Sequence, residues 1–210
     1  MTLGRLIPAA VALLVLVIAD PSPAARPDSG VRPTEHSLAG QLLVATPALK
    51  SRVFHQTVIY LLRHDPNGAF GLILNRPLEK RSFGEMMEDF QVQGPKTLER
   101  DITVHYGGPV QRELTMVLHS TEFAEPDTLR ITGELASATA PKAILRAMAE
   151  GRGPRQTMFT AGYAGWAPGQ LEREITRGSW VIIPADRQFL FDTSYSNMWA
   201  RALKRHVIHL

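Results

Sequence analysis

The chain holds 210 residues, 44% of them hydrophobic and 20% charged, with 23 Lys plus Arg against 20 Asp plus Glu. These are the proportions of a folded globular protein and exclude wholesale disorder, while a surplus of three positive charges does not call for nucleic acid or an anionic membrane as partner. Cysteine is absent, which excludes a disulfide framework, thiolate metal sites and a cysteine nucleophile.

The first 25 residues stand apart. Arg5 supplies a positive start, Leu6 to Ala19 is almost wholly apolar, and Ser22-Pro23-Ala24-Ala25 offers small residues for cleavage. That is the layout of a secretory signal peptide. The alternative is a start codon that lies further in. As a helix the apolar run reaches ~21 Å, short of the ~30 Å hydrocarbon core, so no stable transmembrane span is expected. Residues 26–37, polar and carrying Pro27 and Pro33, read as a linker. Residues 38–210 read as one folded domain without internal repeats.

Short Val-, Ile- and Leu-rich segments predict strands at Gln41–Ala45, Thr57–Arg63 and Ala69–Asn75. Asp65-Pro66-Asn67-Gly68 is a strong turn signal and joins the second and third as a hairpin. Ser82 and Glu85 have capping-box spacing, and Phe83, Met86, Met87 and Phe90 make the apolar face of the helix they open. Strands follow at Ile102–Tyr106, Leu114–His119 and Leu129–Thr132. Pro141 opens a helix carrying Ile144, Leu145 and Met148, which stops at Gly151. After a strand at Thr157–Ala161, Pro168 opens a short helix with Leu171 and Ile175 on its inner side and Gly178 at its end. The last strands are Trp180–Pro184 and Gln188–Phe191, and Ser196 caps a helix whose Trp199, Leu203 and Val207 share a face. Strands and helices do not strictly alternate, so the class is α+β and not a doubly wound parallel sheet.

The most distinctive tract runs from Ala161 to Glu172. Gly162, Gly165 and Gly169 flank Tyr163 and Trp166 where a strand gives way to a helix. Glycines there permit positive φ and close backbone approach, so the tract is either a binding loop walled by the two aromatics or a tight connection whose aromatics plug the core. Gly107-Gly108 offers exposed amides or a simple turn. Asn75, at a strand end, is suited to bonding neighbouring backbone or a ligand. No His-Glu-x-x-His, Gly-x-Ser-x-Gly or Gly-Lys-Ser/Thr signature occurs. His64-Asp65 and His119-Ser120 are sequence neighbours whose side chains leave a strand on opposite sides, a poor geometry for a base and its orienting acid. Basic residues gather at Arg146, Arg152 and Arg155 and again at Arg201, Lys204, Arg205, His206 and His209, without a recognition-helix, zinc-finger or aromatic RNA-binding pattern.

Taken in order, several of these pieces resemble the YqgE/AlgH family of bacterial proteins. They are Gly40 to Pro47; Phe54 and Thr57 to Leu61 with His64, Gly68, Gly71 to Ile73 and Asn75-Arg76-Pro77; Gly107 to Val110; Val117 to His119; and Ala161 to Glu172 with Glu174. The resemblance implies a bifurcated, mostly antiparallel β-sheet that forms a pseudo-barrel with peripheral helices. It implies no settled enzymology. A regulatory label attaches to AlgH-type members, and cytoplasmic location is the family's usual one, whereas the leader points to export into the periplasm.

The reading that follows is a non-enzymatic binding or regulatory module. It presents a surface of Asn75, Gly107, Gly108, Tyr163, Gly165 and Trp166 to a small molecule or protein, because these residue types shape surfaces and supply no acid–base set. The alternative is a hydrolase-type enzyme using His64 or His119, and a further one a transcriptional regulator acting directly or through a partner. Neither cofactor nor metal is expected, and direct nucleic-acid binding is not.

Overall fold

The computed structural model describes residues 37–95, 99–131, 133 and 135–208. The leader of residues 1–25 and the linker up to residue 36 lie outside them. Leu38–Leu210 is a compact unit.

Its first strands are β1 (Gln41–Ala45), β2 (Val58–Asp65) and β3 (Gly68–Ile73). β2 and β3 form the expected hairpin, with Asp65 facing Gly68 across the turn. β4 (Pro77–Ser82) leads into α1 (Phe83–Asp89), where Ser82 Oγ accepts from the Glu85 N–H and the Glu85 carboxylate accepts from the Ser82 N–H. β5 (Asp101–Tyr106), β6 (Val110–His119), β7 (Leu129–Arg130) and β8 (Ser137–Thr139) precede α2 (Pro141–Ala149). The chain then runs through β9 (Thr157–Trp166), α3 (Gln170–Thr176), β10 (Trp180–Pro184), α4 (Arg187–Leu190) and α5 (Tyr195–Ile208).

Three expectations are corrected. Gln188–Phe191 is not a strand: Asp186 Oδ1 accepts from the Phe189 N–H at 2.8 Å and caps α4, so a local side-chain bond overrides a weak apolar alternation. β4 and β8 were not anticipated, the first because all but one of its residues are exposed and the second because it is only three residues long. The tract from Ala161 to Trp166 does not leave β9 as a loop; it is the strand's second half.

β9 is the hub of the sheet. Strand order is β10-β1-β2-β3-β9-β6-β8-β7, with β5 joining β9 and β4 joining β5. Along one edge of β9, residues Ala164 to Trp166 pair with β3, while Phe159 to Ala161 pair with β5 in parallel, against an otherwise antiparallel sheet. The sheet therefore forks between residues 161 and 164. At the fork the Gly107 N–H donates to the Ala161 carbonyl and the Gly107 carbonyl accepts from the Ile73 N–H. The backbones close in so far that a Cβ on Gly107 would sit 2.2 Å from the Gly162 oxygen, and one on Gly108 2.1 Å from the Tyr163 carbonyl carbon. Glycine is required here by contact.

Both faces of the central strands are covered. Leu42, Val44, Tyr60, Leu72 and Leu74 face Phe189, Leu190, Met198 and Ala202 of α4 and α5. Leu43, Ile59, Ile73 and Ala164 face Leu171 of α3 with Trp166 and Trp180. On the β5–β6 arm, Ile102, Val104, Val117 and Phe159 pack on α1 and α2 through Phe83, Met87, Ile144 and Leu145. Burial on two faces explains why β1 and β2 read as continuous apolar runs.

Candidate functional site

Side chains alternate across a strand. In β5, Ile102 and Val104 enter the core beneath α1 and α2, which turns Asp101, Thr103 and His105 to the opposite face. There the segment leading into α5 crosses over them and the Tyr195 ring meets the His105 ring edge to face, centroids 4.5 Å apart. Between them lies a cavity of about 200 Å³ lined by Asp101, Thr103, His105, Thr157, Thr193 and Tyr195, with Arg100, Ile102, Met158 and Phe159 completing the wall.

His105 is 1% exposed. Its ring bonds the Leu74 carbonyl, while Nδ1 has no partner. A carbonyl only accepts, so Nε2 carries the proton and Nδ1 presents a bare lone pair. Burial holds the ring's pKa below the usual histidine value, outweighing the opposing effect of the Leu74 bond, and the imidazole is neutral. Burial, helped by the Asp192 charge, raises the Tyr195 phenol, which stays protonated. A buried acceptor without a donor costs about 1–3 kcal/mol.

Of the two histidines expected to serve an enzyme, neither offers a vacant lone pair. His64 Nδ1 accepts from the Leu38 N–H at 3.0 Å, and Nε2 lies 2.7 Å from Glu172 Oε1; the ring ties β2 to the domain's entry and to α3. His119 is fully buried, edge to face with Phe123. Its Nδ1 is 2.9 Å from the Ser120 carbonyl and its Nε2 2.8 Å from the Thr139 hydroxyl.

The six residues read as a ligand surface converge only in part. Backbone of Ile73 to Arg76, Tyr106 to Gly108 and Ala161 to Tyr163 meets at the fork, where Arg76 O also accepts from the Tyr106 N–H. The side chains diverge. Asn75 bonds the Val58 N–H and the Gln56 carbonyl. Tyr163 packs edge to face on Phe70 in the α4–α5 layer, whereas Trp166, on the other face, packs on Phe54 and Trp180. Gly165 lies under the Tyr163 ring. Both indole N–H groups, Trp166 at 2.9 Å and Trp180 at 2.8 Å, donate to Glu174 Oε2, and the Gln170 amide donates to Oε1.

Three side chains of the basic clusters are ion-paired. Arg152 bridges Glu150, Arg201 bridges Asp192, Arg205 bridges Asp186, and the last two guanidiniums lie over the Phe189 ring. Among the described residues no three His, Asp or Glu side chains gather as a metal site, and no helix is long and apolar enough to cross a membrane.

His105 carries no motif in the sequence. Its one signal is the alternation Asp-Ile-Thr-Val-His, which places it opposite Ile102 and Val104. That Tyr195, 90 positions on, would close over it had no local trace.

A forked, mostly antiparallel α+β sheet with a small polar cavity beside its hub defines the class of this protein. The AlgH-like family model matches residues 42–210. The UPF0301 proteins of Gluconobacter oxydans and Methylococcus capsulatus are 43% and 40% identical over 171 and 166 residues, covering 80% and 79% of this chain and 90% of each relative. The solution structure of AlgH from Pseudomonas aeruginosa superposes with a TM-score of 0.69 at 34% identity, over 83% of this chain and 92% of that one. A Corynebacterium diphtheriae protein shares the fold at TM-score 0.63 and 20% identity, over 83% and 89%. The chain belongs to the AlgH-like family, as its sequence pieces implied, and its α+β sheet is that family's.

Proposed function

We propose that the domain is a non-enzymatic binding module whose site is the cavity over His105, and that occupancy of this cavity is its regulatory signal. The observation that carries the reading is the cavity of about 200 Å³ beside the buried, neutral His105, lined by Arg100, Asp101, Thr103, Thr193 and Tyr195 together with Ile102, Met158 and Phe159. The engagement of His64 and His119 argues against the enzyme alternative at those two residues, since a general base needs a free lone pair within reach of a substrate proton. Asn75, Gly107, Gly108, Tyr163, Gly165 and Trp166 then shape the fork that holds β5 in place, and the ligand meets the side chains of β5 instead.

Thermal melts against a metabolite panel test this. A ligand at a hundredfold excess over Kd raises Tm by about 5–10 °C, and the same ligand leaves His105→Phe unmoved. A panel that shifts neither protein, or shifts both alike, overturns the proposal. Export through residues 1–25 is a separate proposal, supported by Arg5, the apolar run and the small residues after it. Sequencing the N-terminus of the protein made by its host is expected to find a start near residue 26; a retained Met1 overturns it.

A further inference from the structure

Among the described residues, every buried side-chain nitrogen or oxygen without a partner lies in or against the layer that α4 and α5 make over the sheet. The Tyr60 ring is fully buried there with Met198 and Ala202, and its hydroxyl bonds nothing. Burial pushes that phenol up to about 12, so it keeps its proton and lacks an acceptor. His105, with its bare Nδ1, has the Tyr195 ring of α5 against it. Arg201, on α5 itself, has Nε and Nη2 buried without an acceptor. When α5 docks, these groups give up water and gain no bond.

The ties that hold α5 to the sheet are few. Trp199 Nε1 donates to the Ala45 carbonyl at 2.7 Å, the one hydrogen bond from an α5 side chain to a strand among the described residues. Its ion pairs, Arg201 with Asp192 and Arg205 with Asp186, reach back to residues just ahead of it in the chain, and both guanidiniums lie over Phe189 of α4. They join α5 to α4 and leave the sheet untouched. By contrast, α3 is fixed to β9 and β10 through Glu174 and to β2 through Glu172 and His64. We propose that α5 is a latch, a helix that lifts from the sheet as a unit while the sheet stays closed. Lifting gives up the apolar contacts of Met198, Trp199, Ala202 and Leu203 and the Trp199 bond. It returns the Tyr60 hydroxyl and the Arg201 guanidinium to water. It also takes Tyr195 out of the cavity wall, so the cavity passes between a covered and an uncovered form. The motion needs no ligand.

Native-state hydrogen exchange of the whole protein, followed by NMR at rising urea, tests this. The tryptophans report on different attachments, since Trp166 and Trp180 share Glu174 on the α3 side and Trp199 belongs to α5. The Trp199 indole N–H and the mid-helix amides of residues 199–203 are expected to exchange at least about tenfold faster than the Trp166 and Trp180 indoles and the amides of β1 and β2, with a weaker dependence on urea. Tyr60→Phe, which removes the unpaired hydroxyl and keeps the ring, is expected to slow exchange in α5 about fivefold. Trp199→Phe, which removes the bond to Ala45, is expected to speed it by about the same factor. The wild-type comparison needs neither variant and decides the matter should both fail to fold. Exchange of α5 at the rate and urea slope of β1 and β2 shows that helix and sheet open only together, and overturns the proposal. Faster exchange of α5 in Tyr60→Phe shows that the hydroxyl has a partner in solution, a buried water, and overturns the physical basis of the latch.

Discussion

The protons around His119 can be placed one after another. The Ser120 carbonyl accepts only, so Nδ1 carries the hydrogen. Nε2 therefore accepts from Thr139, the Thr139 oxygen accepts from Thr128, and the Thr128 oxygen accepts from the Glu125 N–H. Protonating Nε2 would break this chain at its first link. Burial acts in the same direction and holds the pKa down, against weaker opposing effects of Ser120 and Glu122; His105 is depressed likewise. A histidine whose folded pKa lies below its unfolded value, about 6.5, binds more protons unfolded than folded. Its stabilisation is complete above about pH 6.5 and is lost as pH falls below that value toward and through the folded pKa. Urea midpoints are thus expected to hold level from pH 8 to 7 and to fall between pH 6.5 and 5. In His119→Gln, less stable at pH 8, that fall is shallower; an equal fall in both proteins would show that His119 is not its source. Residue roles closed by near neighbours were legible, as with Ser82 and Glu85 capping each other's backbone three residues apart, whereas Asn75, expected to bond neighbouring backbone, bonds Val58 and Gln56 far back along the chain. Those closed by partners far along the chain, such as Glu172 for His64 and Tyr195 for His105, were not.

Between elements, one carboxylate does most to fasten α3. Glu174 accepts from Trp166 of β9, Trp180 of β10 and Gln170 of its own helix. Burial pushes its pKa up, but the bonds from Gln170, Trp180 and Trp166 outweigh it and hold the group ionised below the usual carboxylate range. Removing it leaves two buried indole donors unpaired. Glu174→Ala is expected to lose about 2–4 kcal/mol in urea unfolding at pH 7, and Glu174→Gln, which keeps an acceptor oxygen, to lose less. Identical losses would reassign the role to packing alone. The helix itself was legible from Pro168, Leu171, Ile175 and Gly178, because capping and periodicity are local. β4 was not: its Pro-Leu-Glu-Lys-Arg-Ser is an exposed edge, and charge there blunts edge-to-edge pairing at the expense of any strand signature. α4 was misjudged for the opposite reason, since Phe189 and Leu190 are buried and a four-residue apolar stretch reads the same in helix and strand.

At the scale of the whole molecule, everything meets at β9. The β1–β2–β3–β10 sheet holds its second half through β3, and the β4–β5 arm with β6 to β8 holds its first. Of the tract that reads either as a binding loop or as a tight connection, Gly162 serves that junction: a Cβ there would sit 2.5 Å from the Gly108 oxygen and 2.9 Å from the Val110 oxygen, whereas at Gly165 and Gly169 it would meet only side chains. Sequence could show that residues 161–169 need glycine; it could not show whether for a ligand or for another stretch of backbone, since both demand the same absence of Cβ. Two substitutions set a turn glycine against a fork glycine. Gly151 ends α2 at φ +69 with nothing within 4 Å of a Cβ, whereas Gly108, at φ +154, would place its Cβ 2.1 Å from the Tyr163 backbone. Gly151→Ala is expected to cost about 1–2 kcal/mol, the left-handed penalty alone. Gly108→Ala combines a φ that side-chain-bearing residues rarely adopt with a clash that only parting the strands relieves, and is expected to exceed that value by at least about 2 kcal/mol. Because both arms hang on the fork, the loss should appear as one cooperative transition moved to lower urea with an unchanged slope. If Gly108→Ala instead matches Gly151→Ala, the strands at the fork have slack, and the close approach there does not organise the sheet.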